Sequence, residues 1–231
     1  EMRYGLINDI RSLKKKSYPL MVQRFAALAL TKDAILPKSI EPPALKSYKD
    51  KAVNLINKLG LNGDRKILVL CPGAEFGPSK QWPAKYYAEV AANRISEEWQ
   101  VWLLGSDKDK RVGQEIINYL PNSYRNLCHN LAGLTQLDEA IDLLSVANIV
   151  VTNDSGLMHI SAAIDIPLIV LYGSTSPHFT PPLNNEAVAL SIPVECGPCF
   201  KRECPINSMK CLDDLTPAKV ISELLRLAGD R

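Results

Sequence analysis

Two stretches of this sequence combine residue types that suit the binding of a phosphorylated ligand. The first is Thr152-Asn153-Asp154-Ser155-Gly156-Leu157-Met158-His159. It follows an apolar run and opens a helical pattern, so free backbone N–H groups and a helix dipole can hold a phosphate there. Gly156 lets a ligand approach the backbone closely. His159 falls about one helical turn beyond Ser155, on the same face. Taken alone, the stretch is better read as a helix capped by Asp154 or Ser155, with His159 packed between helices. The second stretch, Pro72 to Pro83, shifts that balance. It contains Lys80 in a glycine-bearing loop before a helix, where a lysine acts as a point charge on a diphosphate. A solvated surface lysine is the competing reading.

Other constellations are excluded by spacing. No Gly-x-x-x-x-Gly-Lys-Ser/Thr occurs, nor Gly-x-Gly-x-x-Gly. Asp154, Ser155 and His159 do not make a hydrolase triad, because the nucleophile elbow needs Gly-x-Ser-x-Gly and here Asn153 and Leu157 stand at the glycine positions. Four of the six cysteines cluster as C-x2-C-x4-C-x6-C, at Cys196, Cys199, Cys204 and Cys211. Four thiolates can hold a tetrahedral zinc. The intervals are too short for two separated metal-binding pairs, so buried thiols or a loop disulfide carry more weight than zinc. Lys201 and Arg202 lie inside this segment and could meet an anion.

These loops need a scaffold, and the pattern supplies one. Apolar runs at 66–71, 101–104, 126–128, 148–151 and 167–172 alternate with helical segments at 83–98, 107–120, 137–147 and 157–164. A final helix at 216–227 begins with a Thr-Pro start signal. Strands apolar throughout and separated by helices imply an α/β fold, a Rossmann-like parallel sheet with helices on both faces. Ligands of such sheets sit beyond the carboxyl ends of the strands. Those ends carry Pro72-Gly73-Ala74-Glu75-Phe76-Gly77, Gly105-Ser106-Asp107, Asn153-Asp154-Ser155-Gly156 and Gly173-Ser174-Thr175. Upstream, 20–30 reads as an apolar helix, a proline-bearing linker follows, and a charged amphipathic helix starts near Tyr48 and stops at Gly60.

Composition narrows the partners. The 231 residues are 46% hydrophobic and carry a net charge of +2 with dispersed basic residues, which gives no case for nucleic acid. No apolar run reaches the roughly 18 residues of a membrane span. Cysteines this few point to a reducing setting.

Cys71 to Pro78 with Lys80-Gln81-Trp82-Pro83, Leu131 to Thr135 and Thr152 to His159 together resemble the lipopolysaccharide heptosyltransferases of glycosyltransferase family 9. Tyr172-Gly173-Ser174 and Phe179 to Pro182 extend the likeness. So does Glu1 to Leu6, similar to a stretch from the middle of such proteins. The resemblance implies the C-terminal half of a GT-B fold, two Rossmann-like domains facing a cleft. It implies residues 1–60 as a remnant of the acceptor domain plus linker, and 61–231 as the nucleotide-sugar domain with its C-terminal helix. The implied donor is ADP-heptose and the implied acceptor the inner-core heptose of lipopolysaccharide. Transfer would be inverting, without metal or cofactor, at the cytoplasmic face of the inner membrane, with peripheral membrane contact. Carried over by residue, Lys80, Asp154, Ser155 and Gly156 face the diphosphate and sugar, and His159 lies beside the diphosphate. Ala74 and Glu75 support the phosphate loop, while Gly105, Ser106 and Leu134 border the adenosine. The family's acidic base belongs to a glycine-rich loop that nothing before Arg65 resembles. The chain is therefore expected to bind donor and to transfer poorly or not at all. A nucleotide-binding module without catalysis is the alternative.

Overall fold

The computed structural model describes residues 5–12, 15–32 and 34–229. The likeness at residues 1–4 lies outside them. Six strands, all parallel, form one sheet in the order β3-β2-β1-β4-β5-β6. They are β1 (Ile67–Cys71), β2 (Gln100–Leu103), β3 (Cys128–Asn130), β4 (Ile149–Asn153), β5 (Leu168–Tyr172) and β6 (Ala187–Ser191). This is the doubly wound Rossmann order, in which the chain reverses direction across the sheet between β1 and β4.

β1, β4 and β5 are buried at every position, which explains their unbroken apolar character. Their side chains alternate between two cores. Leu68, Leu70, Val101, Leu103, Val151 and Leu171 meet helices α3 (Ala84–Ser96), α4 (Lys110–Tyr119) and α8 (Pro217–Gly229) on one face. Val69, Trp102, Val150, Val170 and Tyr172 meet α2 (Lys49–Lys58), α5 (Leu137–Leu144) and α6 (Gly156–Ala163) on the other. The expected helices on both faces are thus present. α2 buries Ala52, Leu55 and Ile56, and the Tyr48 amide before it donates to Asp142 Oδ1 at 2.7 Å.

Three elements differ from the sequence reading. β6, which the sequence reading did not pick out, is a short apolar run (Ala187 to Leu190) with a half-exposed pattern, paired with β5 at the sheet edge. The short helix α7 (Lys210–Asp213) closes the cysteine segment. The third strand begins at Cys128 rather than 126, because Asn122–Leu127 winds into a 3-10 helix. The early helix α1 (Met21–Ala29) is found where expected, but none of its residues is buried.

Candidate donor-binding site

The loops after β1, β2 and β4 border a cleft of about 730 Å3 at the carboxyl edge of the sheet, over the switch point. Asn153 ties its floor together. Fully buried at the end of β4, it donates Nδ2 to the carbonyls of Pro72 and Gly73 and accepts at Oδ1 from the Tyr87 hydroxyl and the Trp82 amide. The β1 and β4 loops are thereby locked to each other by one side chain.

Lys80 reaches into the cleft from a 3-10 turn, Pro78–Lys80. Its Nζ donates to Asp154 Oδ2 at 2.7 Å and to the Asp154 carbonyl at 3.3 Å, and lies 4.8 Å from the centre of the Phe76 ring. Its side chain is 13% exposed and that of Asp154 is 5% exposed, so the pair is largely desolvated and charge-assisted. Two hydroxyls complete the carboxylate shell. Thr175 Oγ1 donates at 2.6 Å and Thr180 Oγ1 approaches both oxygens at 3.4 and 3.5 Å.

Ser155 takes the N-cap position of α6 in an extended conformation, yet no side chain caps the helix. Its hydroxyl instead shares a 3.2 Å hydrogen bond with Thr152 Oγ1. The ordinary-cap reading of this stretch is therefore not what the fold contains. The first amides of α6 stay free to meet an anion entering the cleft. Gly156 lines that entrance, and a Cβ there would meet nothing within 4 Å. His159 lies on the same wall. Burial holds its pKa below the usual histidine value, with Lys80 adding to the effect and Asp154 opposing it, so the ring is neutral at pH 7.

At the β2 end, Asp109 accepts from the Ser106 amide at 2.8 Å and the Ser106 hydroxyl at 2.7 Å. Its carboxylate lies 2.7 Å from where a Cβ of Gly73, just after β1, would be, so a side chain there would displace Asp109. Glu75 projects from the rim and pairs with Lys108 at 2.8 Å; that hydrogen bond lowers its pKa.

Ala74, Glu75, Lys80, Gly105, Ser106, Asp154, Ser155, Gly156 and His159 all line this one cleft. Leu134 does not. It is 54% exposed and borders a neighbouring depression with Lys110, Arg111 and Asn130. Thr135, Gln136 and Leu137 occupy the corresponding wall instead. Sequence reasoning did not single out Asp109; it named Thr175 only within the loop after β5, and Thr180 only within the family likeness.

The four clustered cysteines are free thiols. Among the described residues, no group of three or more His, Cys, Asp or Glu side chains is arranged to hold a metal ion. Backbone amides of Met209, Ile206 and Ser208 face Cys204 and lower its pKa. Burial, then the neighbouring cysteines, raise that of Cys211. Burial raises Cys128, within the sheet, to about 12.

Residues 1–210 match the profile of glycosyltransferase family 9 (heptosyltransferase). The chain belongs to glycosyltransferase family 9. Within the family it is 43% identical to lipopolysaccharide heptosyltransferase 2 of Escherichia coli, over 97% of this chain and 66% of that protein. It is 44% identical to lipooligosaccharide heptosyltransferase 2 of Haemophilus influenzae, over 98% of this chain and 68% of that one. The chain spans about two thirds of the length of these curated relatives. The structure of E. coli ADP-heptose lps heptosyltransferase II superposes with a TM-score of 0.87 at 42% identity, covering 98% of this chain and 67% of that one. A family 9 glycosyl transferase from Veillonella parvula, at 20% identity and TM-score 0.71, shares the fold.

Proposed function

We propose that this chain binds ADP-heptose in the cleft and supplies the donor side of heptosyl transfer to the inner-core heptose of lipopolysaccharide. The observation that carries this reading is the Lys80–Asp154 pair, set opposite the uncapped N-terminus of α6 over the switch point. A switch-point cleft with a cation and free amides suits a nucleoside diphosphate. Similarity to lipopolysaccharide heptosyltransferase 2 supports the sugar and the acceptor. Residues 1–60 are read as acceptor-domain remnant plus linker, and 61–231 as the donor domain.

In the proposed reaction the acceptor hydroxyl attacks the anomeric carbon of the heptose as the bond to the diphosphate oxygen breaks, with inversion. Negative charge grows on the departing ADP. Lys80 and the first amides of α6 meet that charge, and they are already oriented before reaction begins. His159, neutral and beside Lys80, can donate a hydrogen bond to the diphosphate. Asp109 and Ser106, at the β2 end where Rossmann folds hold ribose, receive the nucleoside. No metal or cofactor is assigned a step.

The three cleft carboxylates are poor candidates for the general base. Glu75 is held by Lys108, Asp154 by Lys80 and Thr175, and Asp109 by Ser106. The base is assigned to the acceptor side, and the residues of this cleft to donor binding. The reaction belongs at the cytoplasmic face of the inner membrane, and contact there would be peripheral. No helix among the described residues is long and apolar enough to cross a membrane.

Calorimetric titration with ADP, ADP-heptose and UDP-glucose, with Lys80→Ala alongside, tests the reading. Selective binding of the ADP compounds that weakens in the variant is expected. Turnover by this chain alone, matching a complete enzyme on a heptose-bearing acceptor, would contradict the donor-only role. Equal binding of UDP-glucose would contradict the nucleotide assignment.

A further inference from the structure

The charges of the cleft do not balance the ligand proposed for it. Its charged lining residues are three carboxylates (Glu75, Asp109 and Asp154) and one cation, Lys80. Lys80 is itself paired with Asp154. The α6 N-terminus adds roughly half a positive charge. A diphosphate needs a further cation near Lys80.

The cysteine-rich segment brings one. The Phe200 amide donates to the Ser174 carbonyl at 2.8 Å, and the Ser79 amide donates to the Arg202 carbonyl at 3.2 Å. The Ser79 hydroxyl donates to the Lys201 carbonyl and shares a 2.9 Å hydrogen bond with Ser174 Oγ. Ser79 and Ser174 are each 2% exposed, so these bonds are sheltered from water. Gly77, at φ +150°, leaves room for the Arg202 carbonyl, which lies 2.5 Å from where a Cβ would be. The backbone at 200–202 is thus fastened to the turn that carries Lys80.

This clamp sets the Arg202 guanidinium 5.6 Å from the centre of the Phe76 ring, the same ring that Lys80 approaches at 4.8 Å. Phe76 lines the cleft. Arg202 is exposed; its charge reaches Glu75, whose pKa it helps Lys108 to lower, but it forms no ion pair within 4.0 Å with a described carboxylate. A guanidinium held on an aromatic face keeps its planar set of N–H donors free for phosphate.

We propose that Arg202 is a second cation of the donor site, binding the diphosphate of the nucleotide together with Lys80. The proposal rests on the donor-binding reading above. It gives the cysteine-rich segment a positional role, as the arm that presents Arg202.

The test is calorimetric titration of this chain and of Arg202→Ala with ADP, with adenosine, and with a heptose-bearing anionic core oligosaccharide. Loss of a charge-assisted hydrogen bond to phosphate should weaken ADP about tenfold or more, with adenosine unchanged. Unchanged ADP affinity overturns the proposal. So does a matched loss of ADP and adenosine, which marks a structural residue. Loss confined to the oligosaccharide also overturns it, by moving the anion contact to the acceptor. If the unsubstituted chain, titrated also with UDP-glucose, binds it as tightly as ADP, the donor assignment fails while the Arg202 comparison on ADP still reads separately.

Discussion

Replacing Lys80 with methionine keeps the apolar stem and removes the charge, leaving Asp154 buried without its cation. Breaking a buried ion pair from one side costs about 3–5 kcal/mol. The cost here should be smaller, because Thr175 and Thr180 still donate to the carboxylate. We expect Lys80→Met to destabilise by about 2–3 kcal/mol. Asp154→Asn should cost about 1–2 kcal/mol, since Lys80 keeps the residue-154 carbonyl and the Phe76 ring. In the double variant a neutral amide meets two hydroxyls and no charge is stranded. Its loss should be about 1–2 kcal/mol, well under additivity, with a coupling of about 2 kcal/mol. At about 2–4 °C per kcal/mol for a chain of this size, Lys80→Met alone should lower Tm by about 4–12 °C. Scanning calorimetry of the three variants completes the cycle. Additive losses, or an unchanged Tm for Lys80→Met, would refute the picture of a desolvated and mutually dependent pair.

Gly156→Ala should leave Tm within about 2 °C, because the new methyl meets nothing within 4 Å, yet weaken ADP about tenfold by standing in the cleft entrance; equal ADP affinity would show that no ligand approaches this backbone. Gly77→Ala should do the reverse in origin, forcing a residue at φ +150° against the Arg202 carbonyl. It should cost about 2–4 kcal/mol in a denaturant titration. His159 and His129 both have pKa values lowered by burial, so the unfolded chain binds protons first as pH falls. Stability should be full above about pH 6.5 and decline as pH drops through the folded values. His159→Gln should flatten that decline, and an unaltered Tm–pH curve would exclude the buried neutral ring.

How much of this was legible beforehand follows from where each residue gets its role. The strands β1, β4 and β5 are buried on both faces, so their composition alone announces them, and the polar loops that follow them point to the same sheet edge. Lys80, Asp154 and Gly156 could be selected because each sits at a strand end or helix start. β6 was missed although Ala187 to Leu190 is apolar, because the run is short, follows the proline-rich Thr180 to Leu183 stretch and is only half buried at the sheet edge. Asp109 escaped for a different reason. Its role comes from Gly73, 36 positions earlier, whose missing side chain makes room for its carboxylate. Leu134 was placed by likeness rather than by any pattern, and it lies on the neighbouring depression beside Gly133, whose φ is +67°.

Asp154 shows why the site resists being read one residue at a time. In the sequence it is a helix-start carboxylate, and its simplest job would be to cap α6. In the fold it turns from the helix to Lys80, Thr175 and Thr180, contributed by the loops after β1 and β5. That choice has two consequences at once: it orients the lysine, and it leaves the amides of α6 uncapped. Both consequences favour an anion in the same place. A capping carboxylate would have satisfied the helix and repelled a phosphate, so the displacement of one side chain converts an ordinary helix start into half of a diphosphate site. The same displacement consumes much of the charge on Lys80, which is why a cation from outside the strand-end loops, on the cysteine-rich arm, completes the electrostatics.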